Sequence, residues 1–219
     1  MIWSLNTTEL AAYIARQLGK FSVSSGQFAV DRIARYLPEA QKRVENCFRG
    51  IRKKYYWKDG QFLFDHTYGD HYAVFLYFLG NTIYRTGKDG DLMTATFSLN
   101  KSLHGLDAYP GIVLPDVFMV VHPLGTVLGK AQYSNYLVVY QGVTVGSTED
   151  GLYPTFAESI VLFSGASVIG QCRIGPDVVF GARSFILKTD VPARTTVVGM
   201  YPHHRYLPIA GTVRERFFQ

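Results

Sequence analysis

The sequence predicts an α+β protein in which an α-helical N-terminal domain, residues 1–105, precedes a parallel β-helix of hexapeptide repeats with a C-terminal tail, residues 106–219. The first observation behind this prediction is a ladder of apolar residues that recur every six positions. The ladder consists of Phe156, Leu162, Val168, Ile174, Phe180 and Ile186. Since 47% of the residues are hydrophobic, six in a row at one spacing would arise by chance about one time in a hundred. A period of six fits neither a helix nor a flat strand, but it is the repeat of a β-helix in which every sixth side chain points into a narrow core.

The second observation is an inner column that accompanies the ladder. Four residues after four of the ladder positions lies another small or apolar residue: Ala166, Cys172, Val178 or Ser184. The pattern continues upstream at Tyr133, Val139 and Val145, with Leu137 and Val143 four residues on. The step from Val145 to Phe156 is eleven residues, so the polar segment STEDGLYPT between them is predicted to be a loop ejected from the coil. The regular coil is expected to end near Leu187, and residues 188–219 are expected to wrap the last coil.

The third observation is that helical periodicity stops near Leu106, after four predicted helices. The first predicted helix runs through Arg16, with Thr7 or Thr8 as its cap. The other three cover residues 38–57, 70–86 and 90–104. The second helix has six basic residues that are predicted to form a solvated face: Lys42, Arg43, Arg49, Arg52, Lys53 and Lys54. The third contains the longest apolar run, residues 72–79, which is far shorter than the ~20 residues of a membrane span and is therefore predicted to be buried.

Composition narrows the classes of function. The chain of 219 residues carries a formal net charge of +5, a modest excess that favours solubility or the attraction of a phosphate-bearing ligand. No run of five basic residues and no zinc spacing occurs, which argues against a nucleic-acid partner. One of the two cysteines, Cys172, lies on the inner column, so a buried thiol and a cytoplasmic location are expected rather than a disulfide framework. The N-terminus lacks the pattern of a signal peptide.

Four segments carry a resemblance to a known family. They are LDAYPGIVLPDVFMVVHPLGTVLG (106–129), VVYQGVTVGS (138–147), VIGQCRIGPDVVFGARSFILKTDVP (168–192) and TTVVGMYP (195–202). In these segments, and in the order of helical domain, coil and ejected loop, the chain resembles the serine acetyltransferases. The resemblance covers residues 105–205 and, over residues 1–105, consists mostly of helix order. It implies a left-handed β-helix, acetyl-CoA as co-substrate and assembly into a homotrimer or hexamer.

The resemblance also implies a catalytic pair. The family's general base falls on His122, and the aspartate that orients it falls on Asp107, fifteen residues earlier and so nearly one coil of eighteen residues away. A hydroxyl is a poor nucleophile at neutral pH, and a neutral imidazole suits its activation. A carboxylate on the other ring nitrogen fixes the tautomer of the imidazole. Without the resemblance, His122 could equally be a structural histidine beside Pro123, and Asp107 an Asx-turn residue before Pro110.

Several residues are candidates for binding CoA. The resemblance implies that CoA lies in the groove between neighbouring β-helices, held by backbone groups at the positions of Ser164 and Ala182. Four basic residues are candidates for its phosphates: Arg183, Lys188, Arg194 and Arg205. The alternatives are that the coil corner requires the small residues and that the charges only serve the surface.

Three positions depart from the family where the resemblance implies contacts with serine. Val121 replaces an aspartate, and Leu152 and Tyr153 replace an arginine and a histidine before Pro154. Valine and leucine cannot pair with an ammonium group or a carboxylate. The acceptor is therefore predicted to be the hydroxyl or amine of a sugar or polysaccharide precursor.

Candidate acceptor residues follow from this prediction. The tyrosines suited to stacking on a sugar are Tyr133, Tyr136, Tyr140 and Tyr153, although tyrosines are also ordinary residues of the coil core. The segment FDHTYGDHY, residues 64–72, adds Asp65, His66, Asp70 and His71. These four are either acceptor ligands or part of a helix cap.

Three alternatives to a sugar O-acetyltransferase stay open. The first is a serine O-acetyltransferase with an altered serine-binding shell, and the second is a non-catalytic β-helix scaffold. The third, a hexapeptide carbonic anhydrase, needs three histidine ligands for zinc. Since residues 106–200 contain only His122, the sequence predicts no metal.

Overall fold

The computed structural model describes residues 1–21 and 28–219. Its helices are α1 (Thr7–Leu18), α2 (Val30–Ala34), α3 (Leu37–Arg49), α4 (Gly69–Thr86), α5 (Gly90–His104) and α6 (Val213–Phe217). Its strands are β1 (Ile2–Trp3), β2 (Trp57–Lys58), β3 (Gln61–Phe64), β4 (Leu106–Asp107), β5 (Phe118–Val121), β6 (Thr126–Leu128), β7 (Leu137–Tyr140), β8 (Thr144–Gly146), β9 (Thr155–Phe156), β10 (Ile160–Leu162), β11 (Ser167–Ile169), β12 (Arg173–Ile174), β13 (Val178–Phe180), β14 (Phe185–Leu187), β15 (Thr195–Val198) and β16 (Arg205–Pro208). Helices dominate the first half of the chain and short strands the second, as the periodicities predict.

The strands β4 to β15 form a parallel β-helix. One face consists of β5, β7, β10, β13 and β15, a second of β4, β6, β8, β11 and β14, and a short third face of β9 and β12. Neighbouring strands within each face are parallel and come from successive coils. The inner column is buried between the faces, and Cys172 in it is a free thiol. The predicted fold class, a helical region followed by a parallel β-helix, is confirmed.

The six-residue ladder forms the core of the coil. Leu162 pairs with Phe180 and Val168 with Ile186, in each case one coil of eighteen residues later. All six ladder side chains are at most 3% exposed, and burying a side chain of this size contributes roughly 1.5–3 kcal/mol. Leu162 also pairs with Val139, twenty-three residues earlier. The five extra residues leave the coil as the ejected loop, where the change of phase predicts it.

Backbone turns stack along the edges of the β-helix. The edge nearest the functional site, called the first corner, is formed by turns at Gly125, Gly142, Gly165 and Arg183, all with positive φ. Backbone hydrogen bonds of 2.8–2.9 Å link each of these turns to the next coil. This conformation costs roughly 1–2 kcal/mol for a residue with a side chain, which explains the glycines. His122, with φ 50°, begins the first of these turns.

Helix α4 lies at the centre of the N-terminal region. It packs against α3, α5 and β5 and is buried on nearly every side, as its apolar run predicts. Within the described residues, no helix combines the length and the apolarity needed to cross a membrane. The cap of α1 differs from the prediction: Asn6, not Thr7 or Thr8, accepts the hydrogen bond from the Glu9 N–H and completes a capping box. Helix α5 has the predicted bounds, and Asp89 caps it.

The prediction of a helix over residues 38–57 is wrong in its second half. Helix α3 ends at Arg49, and the chain turns at Gly50, where a Cβ would lie 2.7 Å from Cγ1 of Val117. This close approach between the helical region and the β-helix leaves no room for a longer side chain. A 3₁₀ turn then leads into a small sheet of β1, β2 and β3. Lys53 therefore does not lie on a solvated helical face.

The C-terminal residues do more than wrap the last coil. Strand β15 adds a further parallel strand, with Val197 opposite Phe180, so the coil continues beyond its predicted end near Leu187. Strand β16 pairs antiparallel with β15 and covers the edge of that sheet. The last residues return to the helical region, where Phe218 forms a bridge with Ile51.

Candidate active site

A cavity of about 460 Å³ opens between the helical region and the first coils of the β-helix. Its walls come from the 3₁₀ turn after α3, the first turn of α4, and strands β5 and β7. The lining residues are Lys53, Tyr55, Tyr56, Tyr68, Asp70, Met119, Val120, Val121, His122 and Tyr140. The lining thus includes one histidine, one aspartate, one lysine and four tyrosines. It contains the predicted base His122 and two predicted acceptor residues, Asp70 and Tyr140.

His122 stands at the end of β5, where the first corner begins. His122 is exposed to solvent, and its side chain lines the cavity. The backbone N–H of His122 donates a hydrogen bond to Oδ1 of Asp70 at 3.0 Å. This bond ties the corner of the β-helix to helix α4 and keeps the imidazole at the cavity wall.

Asp70 is the acidic group of the cavity. It lies in the first turn of α4, where the helix dipole favours a negative charge, and it is 7% exposed. Burial raises the pKa of its carboxyl above the usual value, although the His122 backbone and the Tyr68 hydroxyl favour the ionised form. A buried carboxylate of this kind would gain from a cationic ligand.

Asp107 contacts Lys101 in the structure. Its Oδ2 accepts a hydrogen bond from Lys101 Nζ at 2.6 Å, and within residues 1–21 and 28–219 no hydrogen bond joins Asp107 to the ring of His122. Asp107 nevertheless lies beside the first corner, since a Cβ on Gly105 would lie 2.9 Å from the backbone nitrogen of Gly125. The pairing of Asp107 with the imidazole stays a prediction.

Three of the four tyrosines expected at the acceptor lie outside the cavity lining. Tyr133 stacks on Phe156, with ring centroids 5.5 Å apart. Tyr136 packs against Phe218, and Tyr153 packs over a glycine of the neighbouring coil. These rings belong to the packing of the coil and its loop, in line with the alternative reading of the tyrosines.

The residues around Asp70 in the segment 64–72 have local roles. Asp65 accepts two hydrogen bonds from Thr67, and Nδ1 of His66 lies 2.8 Å from Oγ of Ser4. His71 is buried and accepts from the Asp65 N–H, and burial lowers the pKa of its imidazole to about 4. These residues organise the turn before α4, and Asp70 is the one of the four that lines the cavity.

Sequence reasoning missed four polar residues of the lining. They are Lys53, Tyr55, Tyr56 and Tyr68. The helix predicted over residues 38–57 includes the first three, but in the structure α3 ends at Arg49. Gly50 alone points to that end, because glycine is typical just past a helix terminus. Ile51, however, continues the apolar spacing of Cys47 and Phe48 beyond it, so the helical pattern does not stop there.

The CoA candidates are divided between different edges of the β-helix. Ser164, Ala182 and Arg183 lie at the first corner, where the Arg183 N–H donates to Ser164 O at 2.8 Å. Lys188 lies at a second corner and forms an ion pair of 2.7 Å with Asp150, a contact that lowers the pKa of Asp150 to about 2.

The two remaining arginine candidates lie elsewhere. Arg205 lies on β16, opposite Val198 of β15, and Arg194 lies at a third corner, where its N–H donates to Pro176 O. The first-corner set is therefore the one that shares an edge with His122. In the part of the chain that the structure describes, no three His, Cys, Asp or Glu side chains are grouped so as to hold a metal ion.

The chain is similar in sequence to serine acetyltransferases. It is 40% identical over 106 residues to the enzyme of Synechococcus elongatus, a match that covers 47% of this chain and 43% of that protein. It is 30% identical over 138 residues to the enzyme of Bacillus licheniformis, covering 61% of this chain and 63% of that protein. The chain thus spans about half the length of these relatives. No family model matches it.

Solved serine acetyltransferases share the fold. The structure from Neisseria gonorrhoeae in complex with serine has a TM-score of 0.72 and 24% identity, covering 94% of this chain and 84% of that chain. A serine acetyltransferase in complex with CoA has a TM-score of 0.69 and 18% identity, covering 93% and 85%. At these identities the likeness shows the fold alone. Together with the sequence relatives, it confirms the resemblance predicted from residues 105–205.

Proposed function

We propose that the chain is an acyltransferase of the serine acetyltransferase type, which transfers the acetyl group of acetyl-CoA to the hydroxyl of serine. The observation that carries the proposal is the position of His122, a candidate base on the wall of a cavity that also presents Asp70 and Lys53. The sequence relatives and the shared fold support the same class of reaction.

Serine is better supported as the acceptor than the sugar predicted from Val121, Leu152 and Tyr153. The sequence relatives are serine acetyltransferases, and a protein of the same fold binds serine. Most of the tyrosines expected to stack on a sugar pack within the coil and its loop instead. The charges that are absent at Val121 and Leu152 have counterparts in Asp70 and Lys53, on the helical side of the cavity.

In this reaction His122 accepts one proton and later donates it. The neutral imidazole removes the proton of the serine hydroxyl while that oxygen attacks the thioester carbonyl carbon. The new C–O bond forms, the C–S bond breaks, and the departing CoA sulfur takes the proton from the imidazolium. Such base catalysis is worth ~10²–10⁴ in rate. Asp70 lies where its carboxylate can hold the ammonium group of the acceptor.

Two further roles are part of the proposal. Asp107 would orient the imidazole through its other ring nitrogen. Arg183 at the first corner, with Ser164 and Ala182 beside it, would contact CoA. Assembly into a trimer or hexamer and a cytoplasmic location remain predictions from the sequence.

The proposal is tested by an acceptor screen that follows CoA release. The wild type is supplied with acetyl-CoA and, in parallel, with L-serine, nucleotide sugars and simple sugars. We expect turnover with L-serine, and we expect His122→Ala to lower kcat/KM by ~10²–10⁴ because the base is lost.

The matched control is His203→Ala, since His203 is exposed on the C-terminal segment, away from the cavity. It should retain wild-type turnover. Turnover with a sugar but not with L-serine, or full activity in His122→Ala, would contradict the proposal.

A further inference from the structure

The cavity beside His122 is lined by two residues of opposite charge. Among the described residues that line it, Asp70 supplies the carboxylate and Lys53 the ammonium group. Both come from the helical region, Asp70 from α4 and Lys53 from the turn after α3. The cavity is therefore lined by one acidic and one basic side chain from the helical region.

Lys53 has no acidic partner in the described part of the chain. None of the three ion pairs found there includes it. Its Nζ lies 4.1 Å from the centre of the Phe217 ring, a contact that stabilises a cation without neutralising it. Burial and the nearby Arg216 lower the pKa of Lys53. The ammonium group would therefore gain from an anionic ligand.

The C-terminal strap, residues 213–219, holds Lys53 in place. On one side of Lys53, the N–H of Arg52 donates to Phe217 O at 2.9 Å, and Gln219 N donates to Gly50 O at 2.9 Å. The Arg52 guanidinium donates to the backbone oxygen of Glu215 at 2.8 Å. Lys53 thus lies on a segment that is fixed from both the helical region and the strap, which suits a residue that positions a ligand.

These charges fit a small zwitterion with a hydroxyl. The carboxylate of Asp70 can pair with an ammonium group, and the ammonium group of Lys53 can pair with a carboxylate. His122, at the start of the first corner of the β-helix, can then accept the proton of the hydroxyl. A neutral sugar would leave both charges uncompensated in a partly desolvated cavity, at a cost in binding. Val121 and Leu152 supply no charge of their own, so the helical region has to provide both.

We infer that Lys53 binds the carboxylate of the amino-acid acceptor and so makes the site specific for an amino acid over an amine. The inference rests on the proposed function. It assigns Lys53 a role in specificity, with the strap as the element that positions it.

The test compares L-serine with ethanolamine, which is serine without its carboxylate, as acceptors of the purified full chain. For the wild type, kcat/KM should favour L-serine. In Lys53→Met, the ratio of the two kcat/KM values should fall by about 10- to 100-fold, the usual effect of losing a charged hydrogen bond. Lys53→Arg, which keeps the charge, should preserve most of the preference. KM for acetyl-CoA should stay constant.

The matched control is Lys54→Met, since Lys54 is exposed and does not line the cavity. It should leave the ratio unchanged. If the wild type acetylates L-serine and Lys53→Met keeps the preference, the role of Lys53 is wrong while the proposed function stands. A rise in KM for acetyl-CoA with an unchanged ratio would assign Lys53 to a CoA phosphate and overturn the inference. No turnover of L-serine by the wild type would refute the proposed function, and the inference with it.

Discussion

Asp70 and His122 are joined by a hydrogen bond that no local sequence pattern reveals, because fifty-two positions separate them. Each residue could be nominated from the sequence, His122 by its motif and Asp70 by its place among acids and histidines. Which member of that cluster reaches the cavity depends on how α4 packs against β5. Lys53 could not be nominated, since a helix extended past Gly50 would put it on a solvated face.

The raised pKa of Asp70 makes a prediction for stability. Folding makes the protonated form of Asp70 more favourable than it is in the unfolded chain. The stabilising contribution of this group is therefore complete below its pKa in the unfolded chain and is lost as pH rises through its pKa in the folded protein. Asp70→Asn cannot ionise and keeps an oxygen for the His122 N–H. The free energy of unfolding of the variant, relative to that of the wild type, should therefore be larger at pH 7 than at pH 4 in urea titrations, so that the variant gains relative stability as pH rises.

The same variant separates stability from function. Its kcat/KM for L-serine should fall by about 10- to 100-fold because the acceptor ammonium loses its counter-ion. Asp59→Asn, at an exposed turn outside the cavity, is the control and should change neither quantity. A relative loss of stability for Asp70→Asn on going from pH 4 to pH 7 would show that the ionised carboxylate stabilises the fold.

At the scale of elements, the coil was predictable and the end of α3 was not. Side chains six apart repeat the same environment, so the ladder predicts both the strands and their partners, as for Leu162 and Phe180. The extra residues before Phe156 predict the loop for the same reason. The end of α3 depends on the approach of Gly50 to Val117 across sixty-seven positions, which helical periodicity does not encode.

A pair of substitutions in β14 tests the ladder. Ile186 points into the coil and is fully buried, whereas the next residue, Leu187, is only partly buried. Ile186→Ala should lower the free energy of unfolding by about 2–5 kcal/mol, because it removes packed methyl groups and leaves a cavity. Leu187→Ala should cost less than half as much in the same urea titration. Equal losses for the two variants would contradict the assigned faces of the strand.

At the scale of the whole molecule, the C-terminal strap connects the two halves of the chain. It contacts the segment 50–52 of the helical region and, through the N–H of Val213, the carboxylate of Asp177 in the β-helix. The sequence predicts a tail with prolines but not where it docks, since these contacts join residues far apart in the chain. The cavity wall at Lys53 depends on that docking.

The most direct test of acetyl transfer to serine is to follow the label from acetyl-CoA that carries carbon-13 in its acetyl group. The purified protein is incubated with this substrate and L-serine, and the products are read by NMR. We expect the label to appear as an ester on the serine hydroxyl oxygen in the wild type and to remain on CoA in His122→Ala. The products are read at early times after an acid quench, because the acetyl group of O-acetylserine migrates to its own amino group at neutral and alkaline pH. A labelled amide that no ester precedes, or label that stays on CoA in the wild type, would contradict the proposed function.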